Sequence, residues 1–152
     1  MKNKLSFSTS KLLEKTLIRQ AYISDFPEIF SLWKKSGLLP FSKKIELEEF
    51  KMMLKLNSTS CLVLIKDNQI IGSIFGTFNG RRGWIYHFAI HPDFQHLGLG
   101  SILLSKVEQE LKKVGTQRIV LSVLKSSLKT VAFYEKNGYE IMDDAVLLKK
   151  DI

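Results

Sequence analysis

Cysteine is almost missing: Cys61 is the single one in 152 residues. One thiol cannot build a disulfide framework. A reduced, cytoplasmic location is therefore expected. No apolar run approaches the ~18 residues that cross a bilayer, so no membrane partner is expected. The start, Met1-Lys2-Asn3-Lys4, is basic but leads into no apolar h-region, which argues against a signal peptide. Acidic residues are also few, 15 against 23 Lys and Arg, for a net charge of +8. The excess is spread along the chain. Residues 1–15 carry four positive and one negative, 16–80 eight and six, and 81–152 eleven and eight. A nucleic-acid surface more often gathers its charge, so nucleic acid is not the expected partner. A basic chain does attract anions in general, phosphorylated cofactors included.

What is present suits one domain. Hydrophobic residues make up 45% and charged residues 25%, which excludes a disordered or fibrous chain. Residues 1–15 read as a basic lead-in, and 16–152 as a single domain. A strand is expected at 16–19. A helix follows, with Asp25 to cap it, Pro27 in its first turn, and Phe26, Ile29, Phe30 and Trp33 on one face. Gly37 and Pro40 end it. A second helix is expected over 44–56, with Ile45, Leu47, Phe50, Met53 and Leu54 apolar. The period then changes to two, giving strands at 61–65, 70–78 and 84–90 in an antiparallel meander. Gly72 and Gly76 inside the middle strand imply a bulge, or a close approach by another chain or a ligand. Then come a helix at 99–114, a strand at 118–123, a helix at 128–136 and a strand at 145–148. The order β-α-α-β-β-β-α-β-α-β predicts an α/β (α+β) fold, a mixed, mostly antiparallel sheet with helices on both faces.

The segment from His91 to Ser101 carries most chemistry. It joins a strand to the clearest helix, and Gly98 and Gly100 stand where that helix begins. Glycines let a ligand approach the backbone. The first helical turn offers unpaired N–H groups and a positive dipole end. Such a start suits a pyrophosphate; it is equally a tight turn with no ligand. Two phosphate motifs are excluded. No Gly-Lys-Ser/Thr occurs, and Leu103 stands where a dinucleotide fingerprint wants a small residue.

The run Ala89-Ile90-His91-Pro92-Asp93-Phe94-Gln95-His96-Leu97-Gly98-Leu99-Gly100 resembles the central motif of the GNAT acetyltransferases, a strand "A-V-x-P" and then "Q/R-x-x-G-x-G/A" opening a helix. Ala132-Phe133-Tyr134-Glu135-Lys136-Asn137-Gly138-Tyr139 is similar to the family's "A-x-x-F-Y-E-K-x-G-F/Y" segment. The likeness covers about residues 16–148. Asn79-Gly80-Arg81-Arg82-Gly83-Trp84-Ile85-Tyr86 resembles the hairpin of a YpeA-like bacterial subgroup.

The resemblance implies a splayed sheet with acetyl-CoA between the diverging strands 84–90 and 118–123. It implies that Phe88, Ala89 and Ile90 lie along the cofactor, with the backbone of Phe88 and Ile90 on the pantetheine arm. Gln95, His96, Leu97, Gly98, Leu99, Gly100 and Ser101 would cradle the pyrophosphate. Ser127 stands where the family often has Asn. Tyr134 takes the position of the general acid, and a backbone N–H near Ile90 that of the oxyanion donor. His87 or Tyr86 could relay a proton; either could equally be a packed core residue. His87, His91 and His96 lack the further ligands a zinc site needs, so no metal is expected. Arg81 and Arg82 lie at a hairpin tip, read either as a solvated turn or as a grip on an acidic group. Cys61 reads as inert core. The expected activity is direct acetyl transfer to an amine of a small molecule or a protein. The alternative is a noncatalytic CoA-binding regulatory module. The resemblance leaves homodimer formation open.

Overall fold

The structure, a computed structural model, describes Lys11, residues 15–38 and residues 41–152. Apart from Lys11 and Lys15, the expected lead-in lies outside the described residues, and so does Pro40. The chain divides into two compact units, Met1–Leu121 and Ser122–Ile152.

The first unit runs β1 (Thr16–Gln20), α1 (Phe26–Lys35), α2 (Lys43–Leu56), β2 (Cys61–Lys66), β3 (Gln69–Phe78), β4 (Gly83–Ile90), α3 (Leu99–Lys113) and β5 (Ile119–Val120). Its sheet has the order β1-β2-β3-β4-β5. The first three junctions are antiparallel and β4–β5 is parallel. This is the expected mixed sheet.

The expected face of α1 is the one that packs: Phe26, Ile29, Phe30 and Trp33 are all buried. Asp25 does not cap this helix. Its carboxylate accepts the Tyr22 N–H at 2.7 Å and two Arg19 hydrogen bonds at 2.7 and 2.9 Å. Burial pushes the Asp25 carboxyl up, but those partners outweigh it and hold it below its ordinary value. Ser42 caps α2 by accepting the Ile45 N–H at 3.2 Å. In α2 Phe50 is fully buried, whereas Ile45 is half exposed. The β2–β3 hairpin turns through Asp67 and Asn68, both at positive φ, the conformation that matches strand twist.

The expected bulge is present beside Gly72, where the β2–β3 register passes from Leu64↔Gly72 to Ile65↔Ile70, and both glycines of β3 also record a close approach by the chain's own helix. A Cβ on Gly76 would lie 2.7 Å from Val107 Cγ2 and 3.0 Å from Leu111 Cδ1. One on Gly72 would lie 3.3 Å from Leu103 Cδ2. These residues of α3 are fully buried. The other face of β3 presents Ser73 and Phe75 to α1 and α2. The Trp33 indole donates to Ser73 Oγ at 3.0 Å, and the Phe50 and Phe75 rings are 5.3 Å apart. Helices therefore cover both faces.

Two expected strands change. The one at 118–123 shrinks to the two residues of β5. Residues 145–148 form none, and Val146, Leu147 and Leu148 are 85%, 68% and 89% exposed. An apolar triplet suggests a strand by composition, but a strand exists only through a ladder, and these residues have none. In the second unit the expected helix 128–136 is divided into a 3₁₀ segment, Lys125–Thr130, and α4, Val131–Lys136. Gly138, at φ +88°, ends it as expected, with the Tyr139 N–H donating to Tyr134 O at 3.0 Å.

Candidate active site

β4 is where the sheet opens. Its parallel ladder to β5 has two rungs, Gly83↔Ile119 and Trp84↔Val120, yet β4 runs on to Ile90. On its other side it stays paired with β3 as far as Gly72↔Ile90. The His91 N–H donates to Ile71 O at 2.8 Å. Main-chain groups alternate across an antiparallel ladder. Those of Ala89 therefore turn to β3, and those of Phe88 and Ile90 to the edge where β5 has ended. Ala89 is also buried in the core. The Ile90 carbonyl accepts from Gln95 Nε2 at 2.9 Å and from Ser36 Oγ at 3.2 Å. Gln95 thus braces the loop against the strand end.

That loop continues through residues built to expose backbone. His96 and Gly98 both have positive φ, +61° and +81°. Alternating left-handed residues turn successive N–H groups toward one side, the geometry of an anion nest. Gly98 is the N-cap of α3, with no side-chain cap and no acidic residue in the first turn. His96, Leu97 and Gly98 are exposed, Leu99 is buried, and Gly100 and Ser101 lie between. A Cβ on Gly98 would meet nothing within 4 Å.

A bulge interrupts β4 beside this edge. Ser73 faces Ala89, but Phe75 faces Tyr86, so β4 holds one residue more than β3. His87 sits in it at φ +52°. Left-handed backbone in a residue other than glycine is strained and gathers at functional sites. The bulge also resets the alternation. Ile85, opposite Gly76, faces α3, whereas His87 faces α1 and α2 and does not share Ile85's side as simple alternation predicts. Tyr86 stacks with Trp84 at 6.3 Å.

The His87 ring is held on three sides. It lies 4.1 Å from the Trp33 ring and stacks on Phe75 at 5.7 Å. Its Nε2 is 3.0 Å from Glu46 Oε2. Ser73 Oγ donates to the His87 carbonyl at 2.7 Å. Glu46 is the member of this cluster that the sequence did not single out. It is 3% exposed, and its second oxygen accepts the Phe41 N–H at 3.0 Å. An isolated buried carboxylate costs several kcal/mol, so this one persists through its partners.

The remaining expected residues lie elsewhere. Among the described residues no three His, Cys, Asp or Glu gather as a metal site. His91 Nδ1 accepts the Asp93 N–H at 3.2 Å. Arg81 and Arg82 sit on a tip where Asn79 Oδ1 accepts both their N–H groups at 2.9 Å. Ser127 and Tyr134 belong to the second unit, in which the Tyr134 ring meets Tyr139 at 5.7 Å and Phe133 at 5.2 Å. Burial pushes the Tyr134 phenol up to about 12. Burial likewise raises Tyr86. Cys61 is fully buried, its thiol pushed up to about 12. No helix among the described residues is long and apolar enough to cross a membrane.

Comparison with known proteins finds relatives of this chain and of its fold. The family model described as "Acetyltransferase (GNAT) family" matches residues 19–139. An acetyltransferase of Sodalis glossinidius (strain morsitans) is 33% identical over 129 residues, 83% of this chain and 88% of that one. Two crystal structures share the fold. The ribosomal-protein-S18-alanine N-acetyltransferase from Escherichia coli has a TM-score of 0.70 at 23% identity, covering 81% of this chain and 76% of that one. A predicted acetyltransferase with acetyl-CoA from Clostridium acetobutylicum has a TM-score of 0.70 at 20% identity, covering 88% and 96%.

Proposed function

This chain belongs to the GNAT acetyltransferase family and is an acetyl-CoA-dependent N-acetyltransferase, and we propose that it passes the acetyl group directly from the thioester to an amine with no acyl-enzyme between. One observation supports the placement most. The β4–β5 ladder ends after two rungs, beside the main-chain edge of Phe88 and Ile90 and just before the glycine-opened start of α3. A linear arm ending in a pyrophosphate suits a strand edge that runs past the end of its parallel ladder and leads into an anion nest.

In this reading Phe88 and Ile90 bond the pantetheine arm through their backbones, and Ala89 shapes the strand between them. The backbone from Gln95 to Gly100, with His96, Leu97, Leu99 and the Ser101 hydroxyl, cradles the pyrophosphate. The spread positive charge draws the polyanion in. Ser127 offers a shorter polar contact than the family's Asn.

The chemistry needs three services. The acceptor arrives as an ammonium and must lose a proton. Its nitrogen then attacks the thioester carbonyl, and the Ile90 N–H receives the developing oxyanion. The C–S bond breaks as the C–N bond is completed, and the thiolate takes a proton from Tyr134. A phenol pushed up to about 12 is fully protonated near neutrality, as a donor must be. His87, with Tyr86 beside it, is the proton relay for the amine. The proposed setting is one domain over 16–152, in the cytoplasm of a bacterial-type cell, acting on an amine of a small molecule or protein.

The test is release of free CoA from acetyl-CoA on addition of polyamines, amino acids, aminoglycosides or peptides with free amino termini. Release with at least one class supports the reading. Acetyl-CoA binding with no release from any would point instead to a CoA-binding regulatory module.

A further inference from the structure

Resting on the reading above, we infer that Glu46 is a positioning residue for the reaction: it fixes the tautomer of His87 so that Nδ1 takes the proton of the acceptor ammonium. The relay alone leaves open which ring nitrogen acts. The geometry of the Glu46 contact decides it.

Glu46 Oε2 lies 3.0 Å from His87 Nε2. A carboxylate only accepts hydrogen bonds, so in the neutral ring the proton sits on Nε2. The lone pair is then on Nδ1. That nitrogen has no hydrogen-bond partner among the described residues. The side chain as a whole is 22% exposed. Of the groups set against the ring, Trp33 from α1 and Phe75 from β3 are uncharged, and Glu46 from α2 alone carries charge. Tyr86, next in the chain, is a phenol raised by burial, and it stays neutral near pH 7.

Glu46 is itself locked. Its other oxygen holds the Phe41 N–H, so the carboxylate cannot rotate away from His87 without breaking that bond. Trp33 and Ser73 lock the other side, because the indole donates to Ser73 Oγ and that hydroxyl donates to the His87 carbonyl. The ring is thus fixed at both its backbone and its Nε2. The proton balance is simple. The ammonium N–H bond breaks, an N–H bond forms at Nδ1, and the imidazolium is neutralised by the Glu46 carboxylate 3.0 Å away. The proton then leaves to solvent from the exposed edge.

The test compares wild type with Glu46→Gln, which keeps the shape and an oxygen for Phe41 but can donate to Nε2 and so reverse the tautomer. Nitrogen-15 NMR of the ligand-free protein reads the tautomer directly. The wild type is expected in the Nε2–H form, and Glu46→Gln in a mixture or the Nδ1–H form. With an amine that releases CoA in the panel, turnover of Glu46→Gln should fall by roughly ten- to a hundredfold with KM little changed, the scale of a misplaced orienting partner. Acetyl-CoA binding by calorimetry should stay as in wild type. In the background of His87→Asn, which tolerates positive φ, Glu46→Gln should cost nothing further. A wild-type Nδ1–H tautomer would overturn the inference. So would unchanged turnover in Glu46→Gln, or the same loss again in the His87→Asn background. No release of CoA by the wild type would bring down the transferase reading instead, and this role with it.

Discussion

Replacing Gly98 separates the backbone geometry of the cradle from its occupancy. Gly98 has φ +81°, and a Cβ there meets nothing within 4 Å. Gly98→Ala therefore pays only for left-handed backbone in the free protein, roughly 1–2 kcal/mol. For a chain of this length that lowers the melting temperature by about 2–8 °C. The same strain is present free and bound, so on its own it leaves affinity unchanged. With the pyrophosphate where we propose it, affinity should fall, because the new methyl would stand between the anion and the N–H groups around the N-cap. A loss of tenfold or more in acetyl-CoA affinity is expected by calorimetry, about 1.4 kcal/mol or greater. Gly98→Asn sharpens the test. Asparagine tolerates left-handed backbone better, so it should melt closer to wild type and yet bind as poorly as the alanine variant. If Gly98→Asn binds acetyl-CoA as wild type does, the bulk argument is refuted and the cofactor does not approach this residue.

Other perturbations follow from the same structure. Gly76→Ala should destabilise by about 1–3 kcal/mol, because its methyl would lie 2.7 Å from Val107 Cγ2; an unchanged urea midpoint would mean α3 yields freely. Tyr134→Phe should lower turnover by roughly a hundredfold or more while acetyl-CoA binds as before; unchanged turnover removes its role as acid. With its phenol held up to about 12, turnover should show no loss of that proton below the ordinary value of 10.0. Cys61 should resist thiol reagents in the native protein and react when unfolded. Its thiol goes from 9.0 to about 12 on folding, so the unfolded chain ionises first. That contribution to stability is whole below 9.0 and is lost as pH rises toward 12. Alkaline melting should therefore be less steep in Cys61→Ala than in wild type.

The sequence made some of this legible because some signals are local. The stripe of α1, the hairpin at Asp67-Asn68 and the glycines opening α3 are each decided within a few residues, and each forms. The bulge at His87 left no such mark. Alternating side chains look regular whether or not an extra residue is inserted, and the register depends on Ser73 and Phe75 in the partner strand. Glu46 is hidden for the same reason. In a helix with Glu48 and Glu49 nearby it reads as a solvated charge, and its burial depends on a histidine 41 positions away. The strand expected at 145–148 fails in the opposite direction, since local apolar character found no ladder.

Following the acetyl group through one turnover tests the central claim most directly. Acetyl-CoA labelled in the acetyl carbon is mixed with the protein and an accepting amine, and label is counted on the amine and on the protein while free CoA is measured. Direct transfer predicts label on the amine in equal amount to free CoA, with none on the protein at any time. Label appearing first on the protein, or acetyl-CoA left intact beside every amine, would contradict it.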